Sequence, residues 1–233
     1  MAFVNVRGLH KTYDSGTIQF EALRGIDLEI SESEILCVIG PSGCGKSTLL
    51  NCLSGIDDPT EGYIYIDDTD ISKMSDAQKT RFRALNMGFV FQFYNLIPVL
   101  TAVENVELAV LTAGVPSKQA RKQAMEILTE VGLEKQAHHM PSQLSGGERQ
   151  RVSIARALVH KPRIVWADEP TGALDTKTSI DLLNLILRLN GQLRQTFVIV
   201  THDERLSAYA NRIMKMDSGK ILSIEENQAQ KVQ

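Results

Sequence analysis

The chain has no excess of basic charge. Its 25 Lys and Arg stand against 28 Asp and Glu, for a formal net charge of −3. Proteins that grip nucleic acid through its phosphates carry a basic face, so no nucleic-acid partner is expected. Long apolar runs are missing too. Nothing approaches the roughly 20 apolar residues that a membrane-spanning helix needs. The opening Met1-Ala2-Phe3-Val4-Asn5-Val6-Arg7 lacks a charged segment followed by an apolar stretch, so no secretory leader is expected. Cysteine is scarce: Cys37, Cys44 and Cys52, an odd count with no Cys-x-x-Cys spacing. That argues against a disulfide framework and a zinc site and places the chain in a reducing cytosol. With Gly at 16 and Pro at 7, collagen-like and low-complexity classes fall as well.

What is present is ordinary globular composition, 233 residues at 43% hydrophobic and 23% charged. That length predicts one domain, with room for a sub-domain. The periodicity predicts strands at Phe3–Arg7, Ile18–Ile30, Ile35–Ile39, Tyr63–Ile66 and Met87–Phe91. A helix is predicted over Lys46–Leu53, and Ser75-Asp76-Ala77-Gln78 has helix-capping spacing. The five apolar residues Ile35-Leu36-Cys37-Val38-Ile39 read as a strand buried on both faces of a parallel sheet. From about Ala102 to Val159 the pattern is helical only, over Glu104–Thr112, Lys118–Val131 and Gly146–Val159. Strands return at Arg163–Ala167, Thr196–Val200, Arg212–Met216 and Lys220–Ile224, with a helix at Thr178–Asn190. The predicted fold is therefore α/β, with a β-rich start and a helical sub-domain inserted near 95–160. Residues 226–233 are predicted to be a frayed polar tail.

Gly40-Pro41-Ser42-Gly43-Cys44-Gly45-Lys46-Ser47-Thr48 fits G-x-x-x-x-G-K-[ST], between a buried strand and a helix. Glycines let successive N–H groups turn toward an anion, and the helix start adds about half a positive charge. Lys46 is expected to reach the β- and γ-phosphates of a nucleotide, and Ser47 to bind Mg²⁺. A glycine-rich turn with a chance lysine is the rival reading, and the flanking strand and helix count against it. A second metal carboxylate is expected at Asp168, which ends the apolar run Ile164-Val165-Trp166-Ala167. Glu169 follows, placed to orient or deprotonate a water. Cys44 stands where serine is frequent in such loops. Either its thiol is activated by the phosphate-binding amides, or it is a small filler.

Leu144-Ser145-Gly146-Gly147-Glu148-Arg149-Gln150 opens another helix, with Ser145 and Glu148 at capping-box spacing. Capping needs no glycine pair. Either Gly146 and Gly147 let an anion approach the helix start, or the entry is simply flexible. The residues alone leave both readings open.

With the phosphate loop and Asp168, Ser145-Gly146-Gly147-Glu148 resembles the signature motif of ATP-binding-cassette (ABC) ATPases. The resemblance runs nearly the whole chain. Gln92, Ala173-Leu174-Asp175 and His202 match the family's Q-loop, D-loop and switch histidine. Tyr13 sits where the family has an adenine-stacking aromatic. The likeness implies a P-loop NTPase core of ABC type over 1–94 and 161–225, with an N-terminal antiparallel β sub-domain and a helical sub-domain at 95–160. It implies ATP and Mg²⁺ as ligands, with Ser47, Gln92 and Asp168 at the metal, and Glu169 and His202 catalytic. It also implies a head-to-tail homodimer, in which Ser145 and Gly146 of one copy meet the γ-phosphate held by the other. By the residues alone, Tyr13 is equally a half-buried strand residue, His202 a satisfied strand-end histidine and Gln92 a solvated loop residue.

Phe93-Tyr94-Asn95-Leu96-Ile97-Pro98-Val99-Leu100 is apolar and aromatic after a polar pivot. It is either packing beneath the helical insert or a docking groove for a partner. With Thr101-Ala102-Val103-Glu104-Asn105-Val106 it resembles the lipoprotein-release and macrolide-export (MacB/LolD-like) group. That likeness implies separate transmembrane permease subunits docking near Phe93–Leu100. The chain itself would lie on the cytoplasmic side, peripheral to the inner face of the membrane. The expected function is ATP hydrolysis driving transport or mechanical work. The rival is a nucleotide-gated regulatory scaffold with little turnover, which the intact Glu169 and His202 count against.

Overall fold

A computed structural model describes residues 2–16 and 18–227. In chain order the strands and helices are β1 (Val4–Asp14), β2 (Gln19–Ile30), β3 (Ile35–Ile39), α1 (Lys46–Leu53), β4 (Glu61–Ile66), β5 (Thr69–Asp70), α2 (Asp76–Asn86), β6 (Met87–Phe91), α3 (Ala102–Thr112), α4 (Ser117–Glu130), α5 (Gly146–Leu158), β7 (Ile164–Asp168), α6 (Thr176–Leu193), β8 (Thr196–Thr201), β9 (Arg212–Asp217) and β10 (Lys220–Glu226). Short 3₁₀ turns lie at Ile71–Lys73, Pro141–Gln143 and Glu204–Tyr209. The chain divides into two compact units, residues 2–83 with 196–227, and residues 84–195. The last six residues of the predicted tail, 228–233, lie outside the described residues.

In the first unit an antiparallel sheet runs β2-β1-β4-β5, and β3 lies between β8 and β9, parallel to both, with β10 beyond β9. All five residues of β3 are buried, as are all six of β8. Strands covered on both faces need no polar alternation, hence the apolar runs Ile35–Ile39 and Phe197–Val200. β1 is far longer than the predicted Phe3–Arg7. Its register shifts between Val6 and Leu9, where Gly8 takes φ +53° and donates its N–H to Asp27 Oδ1 at 2.9 Å. A bulge breaks the period-two pattern and hides the second half of the strand from a periodicity reading. That second half carries Tyr13.

The second unit pairs β6 with β7 in parallel, from Met87 opposite Ile164 to Phe91 opposite Asp168. Gly88 allows this sheet to lie close to α5, because a Cβ there would run into the Ala157 carbonyl oxygen. Trp166, 0% exposed, fills the core of β7, and its indole Nε1 has no hydrogen-bond partner among the described residues. Thr101 and Glu104 close a capping box at the start of α3. One residue on, the buried Asn105 accepts from the Ile97 N–H at 2.7 Å. It donates to the carbonyls of Ile97, Leu100 and Thr101 at 3.0–3.1 Å. A single amide thus shapes the loop that precedes the helix.

Candidate functional site

The phosphate loop joins β3 to α1 within the first unit. Gly43 and Gly45 take φ +78° and +104°, and a Cβ on Gly45 would stand 2.6 Å from the Ala22 carbonyl oxygen. Only glycine supplies that curl at that distance. Gly45 is also the N-cap of α1, without a side-chain cap and with no acidic residue in the first turn. A helix start of this kind suits an anion. Lys46 is buried and folds over the loop, donating to the Gly40 carbonyl at 2.8 Å and the Pro41 carbonyl at 3.0 Å. Pro41, Ser42 and Ser47 are exposed, and Thr48 is half-buried. Cys44 is buried, with its thiol 2.8 Å from where a Cβ on Gly40 would lie.

Beside α1 stands Tyr13, 42% exposed. Its hydroxyl donates to Asp57 Oδ2 at 2.8 Å. Lys11 Nζ donates to Asp57 Oδ1 at 2.6 Å and to the Asp58 carbonyl at 2.7 Å, and it lies 4.8 Å over the centre of the Tyr13 ring. Burial alone would raise the Asp57 carboxyl, but the hydrogen bonds from Lys11 and Tyr13 outweigh it and hold the group below its usual value. Burial, aided by the bond to Asp57, pushes the Tyr13 phenol up. His202 follows the last residue of β8 and is exposed. It shares a groove of about 660 Å³ with Gly40, Pro41 and Ser42. The first unit therefore brings together the loop, Tyr13 and His202.

The second unit gathers Gln92, Asp168 and Glu169. Gln92 leaves β6 immediately beyond Phe91, which lies opposite Asp168 in the sheet. Asp168 and Glu169 are both half-buried. Glu169 takes φ +49°, a costly conformation for a side-chain-bearing residue, in a turn closed by the Gly172 N–H to its carbonyl at 3.0 Å. A Cβ on Gly172 would lie 2.8 Å from Gln92 Nε2, so the glutamine side chain rests on that turn. Gln150 of α5 joins the two strand ends. Fully buried, it donates to the Pro170 carbonyl at 2.6 Å and the Phe91 carbonyl at 3.3 Å, while its Oε1 has no partner among the described residues.

Ser145 caps α5 in a complete capping box. Its N–H and Oγ both donate to Glu148 Oε2 at 2.8 Å, and its Oγ accepts from the Glu148 N–H at 3.3 Å. These bonds from Ser145 hold the Glu148 carboxyl below its usual value. The glycine pair has a reason within the chain: a Cβ on Gly147 would stand 2.6 Å from Thr178 Cγ2, and one on Gly146 3.1 Å from the Tyr94 hydroxyl. Asp175 caps α6, accepting from the Thr178 N–H at 3.0 Å and the Thr178 hydroxyl at 2.6 Å. The loop after Gln92 is tied to α5. Arg156 donates to the Asn95 and Tyr94 carbonyls at 2.5 and 2.8 Å, and the Arg149 guanidinium lies 5.2 Å from the centre of the Tyr94 ring. Asp57, Gln150 and Arg156 have no one-dimensional signature; only their partners in space mark them.

A family model described as ABC transporter matches residues 23–172. The chain belongs to the ABC transporter family. Among curated relatives of this ABC chain, the lipoprotein-releasing system ATP-binding protein LolD of Legionella pneumophila is 46% identical over 217 residues, covering 93% of this chain and 96% of that one. LolD of Bacteroides thetaiotaomicron is 47% identical over 218 residues, covering 94% and 98%. Among solved structures, the ATP-binding cassette MJ0796, a dimer in a post-hydrolysis state bound to ADP and Pi, superposes with a TM-score of 0.89. It is 42% identical, covering 97% of this chain and 99% of that one. The chain is an ABC ATPase subunit of the MacB/LolD-like kind.

Proposed function

We propose that this ABC ATPase works as a head-to-tail homodimer that closes on ATP and reopens on hydrolysis, driving separate membrane subunits. The observation that carries the reading is the helix start at Gly45. It is uncapped by side chains, free of acidic neighbours in its first turn, and overhung by a lysine held on loop carbonyls. In this reading Gly40 to Thr48 cradle the phosphates, Lys46 swings from the loop carbonyls to the β- and γ-phosphates, and Tyr13 stacks on the adenine. Ser47, Asp168 and the Gln92 amide oxygen would supply hard oxygens, the donor type that suits Mg²⁺. The ion, when bound, neutralises charge on the phosphates. Glu169 orients and deprotonates the attacking water, and its constrained backbone supports that role. His202 senses the γ-phosphate from the groove it shares with the loop.

Ser145, Gly146, Gly147 and Glu148 would meet the nucleotide of the partner copy, with Asp175 beside them. The dimeric state of MJ0796 supports this arrangement. Permease subunits would dock near Phe93–Leu100, where Phe93 and Val99 are 74% and 73% exposed. The LolD relatives support a membrane complex of the lipoprotein-release or macrolide-export kind, with this chain peripheral on the cytoplasmic face. Among the described residues no helix is long and apolar enough to cross a membrane. Residues 1–94 and 161–225 would form the core with its β sub-domain, and 95–160 the helical sub-domain.

Glu169→Gln tests the reading. It should bind ATP, lose roughly 10²–10⁴-fold in hydrolysis, and run as a stable dimer with ATP in size-exclusion chromatography. A variant that remains monomeric at saturating ATP, or hydrolyses at the parent rate, overturns it.

A further inference from the structure

The Lys11–Asp57 pair has no role in the chemistry above, yet it holds the tyrosine assigned to the base. Asp57 lies just beyond α1, the helix whose first turn faces the phosphates, and its N–H is bonded to the Asn51 carbonyl of that helix at 3.1 Å. The Tyr13 hydroxyl donates to the Asp57 carboxylate. Lys11 completes the mounting, with its ammonium bonded to the far oxygen of the same carboxylate and placed over the ring. Its side chain is only 12% exposed. The ring is therefore fixed at its edge, covered by a cation on one face, and still 42% exposed.

We infer that Asp57 is a positioning residue for nucleotide binding: it bolts the Tyr13 ring to α1 and so sets the spacing between the base platform and the phosphate loop. This rests on the stacking role proposed for Tyr13. An unanchored tyrosine would have to be ordered when the base arrives, and an anchored one has met that entropic cost during folding. The carboxylate need not touch the nucleotide. Its effect should appear in ligands that carry a base and vanish in those that do not.

The test measures affinity for ATP and for inorganic tripolyphosphate in the full-length chain, by titration calorimetry with Mg²⁺. Four variants are compared: Tyr13→Ala, Tyr13→Phe, Asp57→Ala, and Tyr13→Phe combined with Asp57→Ala. Tyr13→Phe keeps the ring on an exposed position and removes only the anchor, so it serves even if Asp57→Ala folds poorly. Freeing one side chain should weaken ATP binding by roughly twofold to tenfold in Tyr13→Phe and in Asp57→Ala. The double variant should be no weaker than Asp57→Ala, and tripolyphosphate affinity should hold throughout. Additive losses, or an equal loss for tripolyphosphate, overturn the inference. If Tyr13→Ala weakens ATP while Tyr13→Phe and Asp57→Ala do not, the anchor fails and the stacking role stands. If Tyr13→Ala leaves ATP binding unchanged, both fall.

Discussion

Gly147 shows how one absent methyl can matter. Sequence reasoning left the glycine pair of the signature between an anion site and a flexible entry. The structure adds a packing reason, the methyl group of Thr178 lying where a Cβ would go. Thr178 cannot swing aside freely, because its hydroxyl is held by Asp175 at 2.6 Å. Gly147→Ala gains about 1 kcal/mol of helix propensity, but overpacking of this kind costs about 1–3 kcal/mol. The variant should therefore unfold at lower urea than the parent. Adding Thr178→Ser removes the obstructing methyl and keeps the hydroxyl, so it should restore the midpoint. If ATPase activity stays low in that repaired double variant, the glycine also serves the ligand, and packing is only part of its purpose.

Among elements, the helix caps tie local sequence to acid stability. Asp175 closes the start of α6 through Thr178, and its carboxyl is held below the usual range by the Thr178 hydroxyl and N–H. Glu104 and Glu148 are depressed by the same kind of bond at α3 and α5, from Thr101 and Ser145. A group whose folded value lies below its unfolded value stabilises the fold above the unfolded value, and loses that contribution as pH falls through the folded one. Stability should therefore decline as pH falls below the ordinary carboxylate range, from about 4.5 downward. Asp175→Asn, which cannot titrate, should show a shallower decline in urea midpoint over that window. The cap at Ser145 was legible in the sequence because its partner Glu148 lies three residues on. So were β3 and β8, whose burial on both faces leaves an unbroken apolar run. β1 was legible only as far as its bulge, and α2 only by its Ser75 cap, because its mean composition is too polar to show a strong apolar face. The Asp57 anchor and the Gln150 bridge were not legible at all, since their partners lie 44 and 59 residues away.

For the whole molecule, the proposed sharing of each site between two copies predicts a rate law. ATPase activity per chain should rise with protein concentration and level off once pairing is complete, as seen by phosphate release across a dilution series. A specific rate that stays constant down to strictly monomeric chains would remove the shared site. The bare helix start at Gly45 carries a separate consequence. Any ligand that binds the folded chain and ignores the unfolded one raises the melting point, by RT ln(1 + [L]/Kd) in free energy. ATP is then both fuel and scaffolding. A starved cell would hold this motor in a softer, shorter-lived form, with its survival linked to the supply of the molecule it consumes.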